Sequence, residues 1–99
     1  MDYKENITID GLEFTGYRIA TEHAALLMIK APHGFLGCGY FDLKTADKLK
    51  EHVAIVSGVK TFSDMLEAQL VDISRAAAEL GITPQMTGRE ALLLLHRKK

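Results

Sequence analysis

The chain has 99 residues, the size of one domain, and we expect residues 1–99 to share a single core. Hydrophobic residues make up 47% and charged residues 25% of the sequence, which is typical of soluble globular proteins and excludes a disordered or fibrous chain. Lys and Arg number 12 against 13 Asp and Glu, so the formal net charge of -1 provides no broad basic field, and we expect no nucleic-acid partner.

A β-hairpin is predicted at the start of the chain. Residues 3–9 contain β-branched residues in alternation, and Asp10-Gly11 is a strong signal for a two-residue turn before a second strand begins at Leu12. The alternation of bulky residues in that second strand changes phase near Gly16. The change predicts a β-bulge at this glycine.

The third predicted strand is apolar on both of its faces. Residues 24–29 read Ala-Ala-Leu-Leu-Met-Ile. A small domain can hardly cover both faces of an antiparallel sheet, so we expect one face to meet a second subunit. This run, like that at residues 91–95, is far shorter than the roughly 20 residues of a membrane helix, and we expect no membrane span.

A βαβ unit is predicted in the middle of the chain. Residues 35–40 form a strand, Asp42 can cap a helix, and the apolar positions of residues 43–49 follow a helical spacing up to an end near His52. Residues 53–56 then form a short buried strand. The connection of about a dozen residues suits a right-handed crossover between parallel strands.

Helices are predicted to dominate the remaining chain. Thr61 and Asp64 form a capping box before a short helix. The i, i+3, i+4, i+7 spacing of the apolar residues in 73–80 predicts a further helix that Gly81 ends. A full capping box at residues 87–90 precedes a last, leucine-rich helix.

These elements together predict an α+β fold: a mixed β-sheet with amino-terminal antiparallel hairpins, one βαβ unit, and helices packed on the sheet. Residues 1–41 are predicted to be mainly β, and residues 42–99 mainly α with one buried strand. We expect the first part to mediate self-association with a second subunit, as in a homodimer.

One candidate site follows from the parallel strand pair, because the carboxyl ends of parallel strands meet at the same edge of a sheet. Cys38 and Gly39 lead into the first helix, and Gly58, Lys60 and Thr61 lead into the second. Free N–H groups at helix starts favour anions and lower the pKa of a nearby thiol, so Cys38 is a candidate nucleophile and the other four are candidate ligand-binding residues. The alternative is that Cys38 is a small apolar core residue.

Arg89 is a further candidate for ligand binding. It lies in the first turn of the last helix, where a cation opposes the helix dipole and calls for an anionic ligand or a carboxylate; a carboxylate across a subunit interface is the favoured choice.

Neither a metal site nor a cofactor is predicted. The four histidines, His23, His33, His52 and His96, lack metal-binding spacing, and the lone cysteine adds no partner. A single cysteine and a polar start unlike a secretory signal predict a cytoplasmic protein.

Three segments carry a resemblance to a known family: Cys38-Gly39 after a strand, Gly58-Val59-Lys60-Thr61 before a helix, and residues 80–92, which include Met86-Thr87-Gly88-Arg89-Glu90-Ala91-Leu92. In these motifs the chain resembles the YunC-like domain of unknown function of bacteria and archaea, over nearly its whole length. The resemblance implies a small α+β domain whose amino-terminal β region mediates assembly into tetramers. It implies no activity.

Two functions are therefore open. The first, which we favour, is a non-catalytic oligomeric module that assembles or interacts through its apolar surfaces. The second is a protein or enzyme that binds a small anion through Lys60, Thr61 and Arg89, with Cys38 as its thiolate.

Overall fold

The structure, a computed structural model, describes residues 2–97 and contains a six-stranded mixed sheet in which the strands lie side by side in chain order. Strands β1 to β4 pair antiparallel, β5 is parallel to β4, and β6 is antiparallel to β5. The strands are β1 Tyr3–Ile9, β2 Leu12–Ala20, β3 Ala25–Ala31, β4 Gly34–Gly37, β5 Val53–Ile55 and β6 Asp72–Ile73; the helices are α1 Leu43–Leu49, α2 Phe62–Glu67, α3 Arg75–Glu79 and α4 Gly88–Arg97. This confirms the predicted α+β class. Residues 98 and 99 of the predicted helical part lie outside the described residues.

The predicted hairpin and βαβ unit are both present. Asp10 and Gly11 have positive φ angles of 52° and 79°, as a tight two-residue hairpin turn requires. The crossover runs through α1, which begins after Asp42 and connects β4 to the parallel strand β5. None of the helices among residues 2–97 has the length and apolar character needed to cross a bilayer.

The predicted β-bulge at Gly16 is wrong. Gly16 pairs regularly with Glu5 on one side and Ile29 on the other, and the register on either side of it is unbroken. A Cβ atom at this position would lie 2.8 Å from the side chains of Ile7 and Phe62. A side chain at this position would have to displace the ends of both side chains, so glycine fits the packing of the core above it.

The helix predicted over residues 73–80 is shorter than its apolar spacing indicates. Ile73 belongs to strand β6, a second strand in the carboxyl-terminal half that the prediction lacks, and α3 begins only at Arg75. Ser74 separates the two elements: it is fully buried, and its hydroxyl accepts hydrogen bonds from the N–H groups of Val53 (3.0 Å) and Ala77 (3.2 Å). Strand pairing and this cap together set the start of the helix. Gly81 follows α3 with a φ of 106°, as predicted.

The main core lies between the first face of the sheet and the helices α2 and α4, whose contacts with each other and with the central strands are extensive. Its completely buried side chains include Ile29 and Leu36 from the sheet and Leu92 and Leu95 from α4. A smaller core on the second face joins α1 to the βαβ unit through Ala46, Val53 and Ile55, with Phe35, Phe41 and Leu43 packed around them.

Part of the second face has no helix over it. Four apolar side chains lie there on two adjacent strands, as the cross-strand pairs Tyr17 with Met28 and Ile19 with Leu26. Ile19 is 49% exposed, and the other three are half-buried. We call these four residues the open face.

Candidate functional site

The strand ends predicted to form a site do meet at one edge of the sheet, and the start of β3 joins them. Because β3 runs antiparallel to β4, its first residues lie beside Cys38, which follows β4. The Cys38 N–H donates to the carbonyl of Leu27 (3.1 Å), and the Leu27 N–H donates to the Cys38 sulfur (3.3 Å). Cys38 is thus fixed as a continuation of the β3–β4 hairpin.

A cleft of about 300 Å³ opens at this edge of the sheet, and we call it the edge cleft. It contains three of the predicted site residues, Cys38, Gly39 and Gly58. Its lining comes from the start of β3 and from the loops after β4 and β5: Ala24, Ala25, Cys38, Gly39, Tyr40, Gly58 and Val59.

A charged recess adjoins the edge cleft, with which it shares Ala24, Ala25 and Val59 as lining residues. The recess has a volume of about 440 Å³. Its ionisable lining residues are Arg18, Glu22, His23 and Lys60. Apolar cleft and charged recess therefore form one continuous depression.

The loop after β4 is tied to the turn before β3 by side-chain hydrogen bonds. The Tyr40 hydroxyl donates to the Thr21 hydroxyl oxygen (3.1 Å), which also accepts the N–H of Ala24 (3.0 Å). The Thr21 N–H in turn donates to the Ala24 carbonyl (2.9 Å). Both loops that border the cleft are held together at its mouth.

Cys38 has the surroundings of a buried thiol without a catalytic base. It is 5% exposed, and neither histidine nor a carboxylate lines the edge cleft within the described residues 2–97. His33, its nearest histidine in sequence, lies at the opposite end of β4, in a groove with Pro32 and Gly34. Nucleophilic catalysis by a thiol needs a base within hydrogen-bond reach, so the geometry favours a core role for Cys38.

Thr61 is used in capping and does not line the cleft. Its hydroxyl accepts the N–H of Asp64 (3.0 Å), and the Asp64 carboxylate accepts the N–H of Lys60 (3.0 Å). The predicted capping box is therefore formed, one residue earlier than usual on its acidic arm. Of this pair of predicted ligand-binding residues, only Lys60 reaches the recess.

Arg89 lies away from the cleft. Its guanidinium donates to the Glu67 carboxylate at the end of α2, at 2.7 Å, and the two side chains are 43% and 68% exposed. A carboxylate partner was expected, but the expectation that it would come from another subunit is wrong, because α2 and α4 pack against each other within one chain. Arg89 stabilises this helix pair.

The neighbouring residues of Arg89 also have structural roles. Thr87 and Glu90 exchange the two hydrogen bonds of a capping box, Thr87 N–H to the Glu90 carboxylate at 2.9 Å and Glu90 N–H to the Thr87 hydroxyl at 3.3 Å. The N–H of Gly88 donates to the Ala68 carbonyl (2.9 Å), and a Cβ atom at Gly88 would collide with the Met65 carbonyl oxygen. This segment locks the start of α4 onto α2.

Sequence reasoning missed the contributions of β3 and of the turn before it. Ala24, Ala25 and His23 enter the site because a hairpin partner begins where β4 ends, and the predicted amino-terminal antiparallel hairpins contained that signal. Among residues 2–97, no group of three or more His, Cys, Asp or Glu side chains is arranged to hold a metal ion.

The fold and its site define a class of small α+β proteins, and comparison with known proteins identifies the family. Residues 37–95 match the family described as Domain of unknown function (DUF1805), and the chain belongs to that family. It is 35% identical over 91 residues to "Uncharacterized protein YunC" of Bacillus subtilis (strain 168). This alignment covers 88% of this chain and 90% of the relative. The resemblance to the YunC-like family is confirmed.

A solved structure has the same fold. The crystal structure of a protein of unknown function, TA1206 from Thermoplasma acidophilum, matches with a TM-score of 0.91 and 34% sequence identity. The match covers 96% of this chain and 93% of that chain.

Proposed function

We propose that this protein is a non-catalytic assembly module, in which the open face of one copy packs on the open face of a second copy. The observation that supports this proposal is the contrast between the two faces of the sheet. Helices α2 and α4 bury the central part of the first face, whereas Tyr17, Ile19, Leu26 and Met28 remain partly in water on the second. A contiguous apolar patch of this kind is typical of an interaction surface.

Charge and chemistry favour a second copy of the chain as the occupant. The exposed charged residues that share this side of the sheet have both signs, Lys4 and Lys30 against Glu13. A two-fold interface brings one patch against itself, so a patch of mixed charge can place lysines of one copy opposite the glutamate of the other. Tyrosine and methionine are also enriched at such interfaces relative to other surfaces.

The size of the patch suits a weak dimer. Strands β1, β2 and β3 have seven, nine and seven residues, and together they cover about 375 Å² at roughly 3.4 Å per residue and 4.8 Å per strand. Side chains roughen this surface, so the accessible area approaches the roughly 500 Å² per partner of the smallest specific interfaces. The proposal is therefore a dimer that dissociates in the micromolar range; a tetramer requires a second contact.

The proposal also places the protein in the cytoplasm. Its single cysteine, Cys38, is a buried free thiol with no second cysteine to pair with, which is the usual state of a structural cysteine in a reducing compartment.

Sedimentation velocity over about 1 to 100 µM protein tests the proposal. We expect a monomer–dimer equilibrium in the native chain and a monomer for Ile19→Lys, since a lysine there is desolvated on dimerisation. Val71→Lys is the matched control, because Val71 is also β-branched and is 58% exposed, but lies next to β6. A native chain that is monomeric at 100 µM, or equal effects of the two substitutions, would contradict the proposal.

A further inference from the structure

We propose that the edge cleft and the charged recess together bind a small organic anion, whose apolar body lies in the cleft and whose charged group lies beside Lys60. This inference concerns a different surface from the open face, since the cleft is on the side of the sheet that carries the main core. The proposed ligand site is therefore independent of the proposed dimer.

The edge cleft has the size and the walls of a small-molecule site. Its volume of about 300 Å³ is at the lower end of the range for ligand pockets. Ala25 and Val59 contribute methyl groups, and the buried Cys38 contributes a soft apolar surface. An apolar body of a few carbon atoms is the chemistry that such walls accept.

The glycine at position 39 supplies an independent argument for a ligand site, because neither packing nor backbone geometry requires a glycine there. The chain has eight glycines, all within the described residues. Three have a positive φ, and at four others a Cβ atom would come closer than 3.0 Å to neighbouring atoms; these seven are Gly11, Gly58 and Gly81, and Gly16, Gly34, Gly37 and Gly88. At Gly39 a Cβ atom would lie 3.7 Å from the Ser57 Cβ, an ordinary contact, and φ is not positive. Glycine at this position leaves space that the protein itself does not use, at a residue that lines the cleft.

The charges around the recess select an anion. Lys60 is exposed, and no ion pair of the described residues 2–97 uses its ammonium group. Glu22 lies 3.7 Å from the imidazole of its neighbour His23. The Asp64 carboxylate accepts the main-chain N–H of Lys60. The recess lining thus has two cations, Arg18 and Lys60, against the one carboxylate of Glu22, so its formal charge is +1 with His23 neutral.

A carboxylate suits this arrangement better than a phosphate. The N–H groups of Lys60 and Asp64 are already bonded to the Asp64 carboxylate and the Thr61 hydroxyl. The negative charge of this carboxylate beside the Lys60 main chain opposes a doubly charged phosphate more than a singly charged ligand. A formal charge of +1 in the recess beside an apolar cleft matches a ligand with one negative charge and a hydrocarbon body.

The test uses the ¹⁵N-labelled full-length protein and three probes: hexanoate, hexan-1-ol and inorganic phosphate. We expect hexanoate to produce saturable shifts of the Gly39 and Gly58 amide signals, hexan-1-ol to bind more weakly, and phosphate to leave both signals in place. Absence of saturation with hexanoate, equal binding of the alcohol, or shifts caused by phosphate alone would each overturn the inference.

Two lysine variants separate the site from general charge effects. Lys60→Met keeps the hydrocarbon stem and removes the charge, and an exposed ion pair predicts a loss of about twofold to fivefold in hexanoate affinity with hexan-1-ol unaffected. Lys48→Met in α1 is the matched control and leaves both affinities unchanged. Equal effects of the two substitutions on hexanoate binding would overturn the role of Lys60. Sedimentation of the same samples shows whether the dimer persists, so failure of one proposal is visible separately from failure of the other.

Discussion

Replacement of Gly88 by alanine is the sharpest test of how the helices are held on the sheet. Gly88 is buried at the first position of α4, where the helix crosses α2. A methyl group there would meet the Met65 carbonyl oxygen and would come within 2.7 Å of a Leu36 methyl. The obstacle is mainly backbone, which cannot rotate away as a side chain can, so α4 must shift away from α2.

The expected cost is about 2 kcal/mol of unfolding free energy. Overpacking of a core costs about 1–3 kcal/mol, and contact with main-chain atoms places this case near the upper value. Alanine has a higher helix propensity than glycine, which offsets about 0.5–1 kcal/mol of this cost. For a domain of this size, the net loss corresponds to a fall in Tm of about 8–16 °C.

Urea unfolding followed by circular dichroism measures this difference, with the m-value as a check that the denatured state is unchanged. Gly39→Ala is the matched control: its Cβ atom fits without strain, so we expect a gain of about 0.4–1 kcal/mol from the lower entropy of the unfolded chain. A Gly88→Ala variant within about 0.5 kcal/mol of the native protein would refute the packing argument.

Three other predictions concern single side chains. Ser74→Ala removes a buried cap with three hydrogen bonds, and we expect a loss of about 2–4 kcal/mol in urea unfolding; a loss under about 1 kcal/mol would mean that water replaces the hydroxyl. A double-mutant cycle of Glu67→Gln and Arg89→Gln should yield a coupling of at most about 1 kcal/mol, because both side chains are substantially exposed, and a much larger value would contradict a surface ion pair. Cys38 is 5% exposed, so iodoacetamide should label it far more slowly in the native protein than in urea, as mass spectrometry can follow; equal rates would show that the edge cleft opens freely.

The parts of the fold that local chemistry controls could be predicted from the sequence. Asp10-Gly11 defines its turn by main-chain conformation, and the capping residues Asp42 and Thr61 bond to N–H groups only two or three positions away. The parallel pair β4–β5 followed from the length of its connection. Each of these features depends on residues close together in the chain.

The errors in the sequence-based predictions arise where residues far apart in the chain determine the local structure. Gly16 is a glycine because Phe62, far along the chain, fills the space above it, and no pattern within β2 reveals that. Ile73 has a helical spacing to the alanines after it, but pairing of β6 with β5 holds it in a strand. Arg89 finds Glu67 only because α2 and α4 cross.

Three of the six residues predicted for the candidate site do line the edge cleft. The rule that parallel strand ends share an edge brought Cys38, Gly39 and Gly58 together correctly. It could not separate Lys60, which lines the recess, from Thr61, which caps a helix, because that distinction depends on side-chain direction.

The position of α4 as the last element in chain order has a consequence for the synthesis of the protein. This helix is translated after all six strands, yet Leu92 and Leu95 fill the centre of the core, against strands made much earlier. Until α4 has left the ribosome, α2 is the only one of the two covering helices in place, so the first face of the nascent sheet stays partly open to water. The chain therefore completes its fold only after translation of α4, and in that interval it depends most on protection from aggregation.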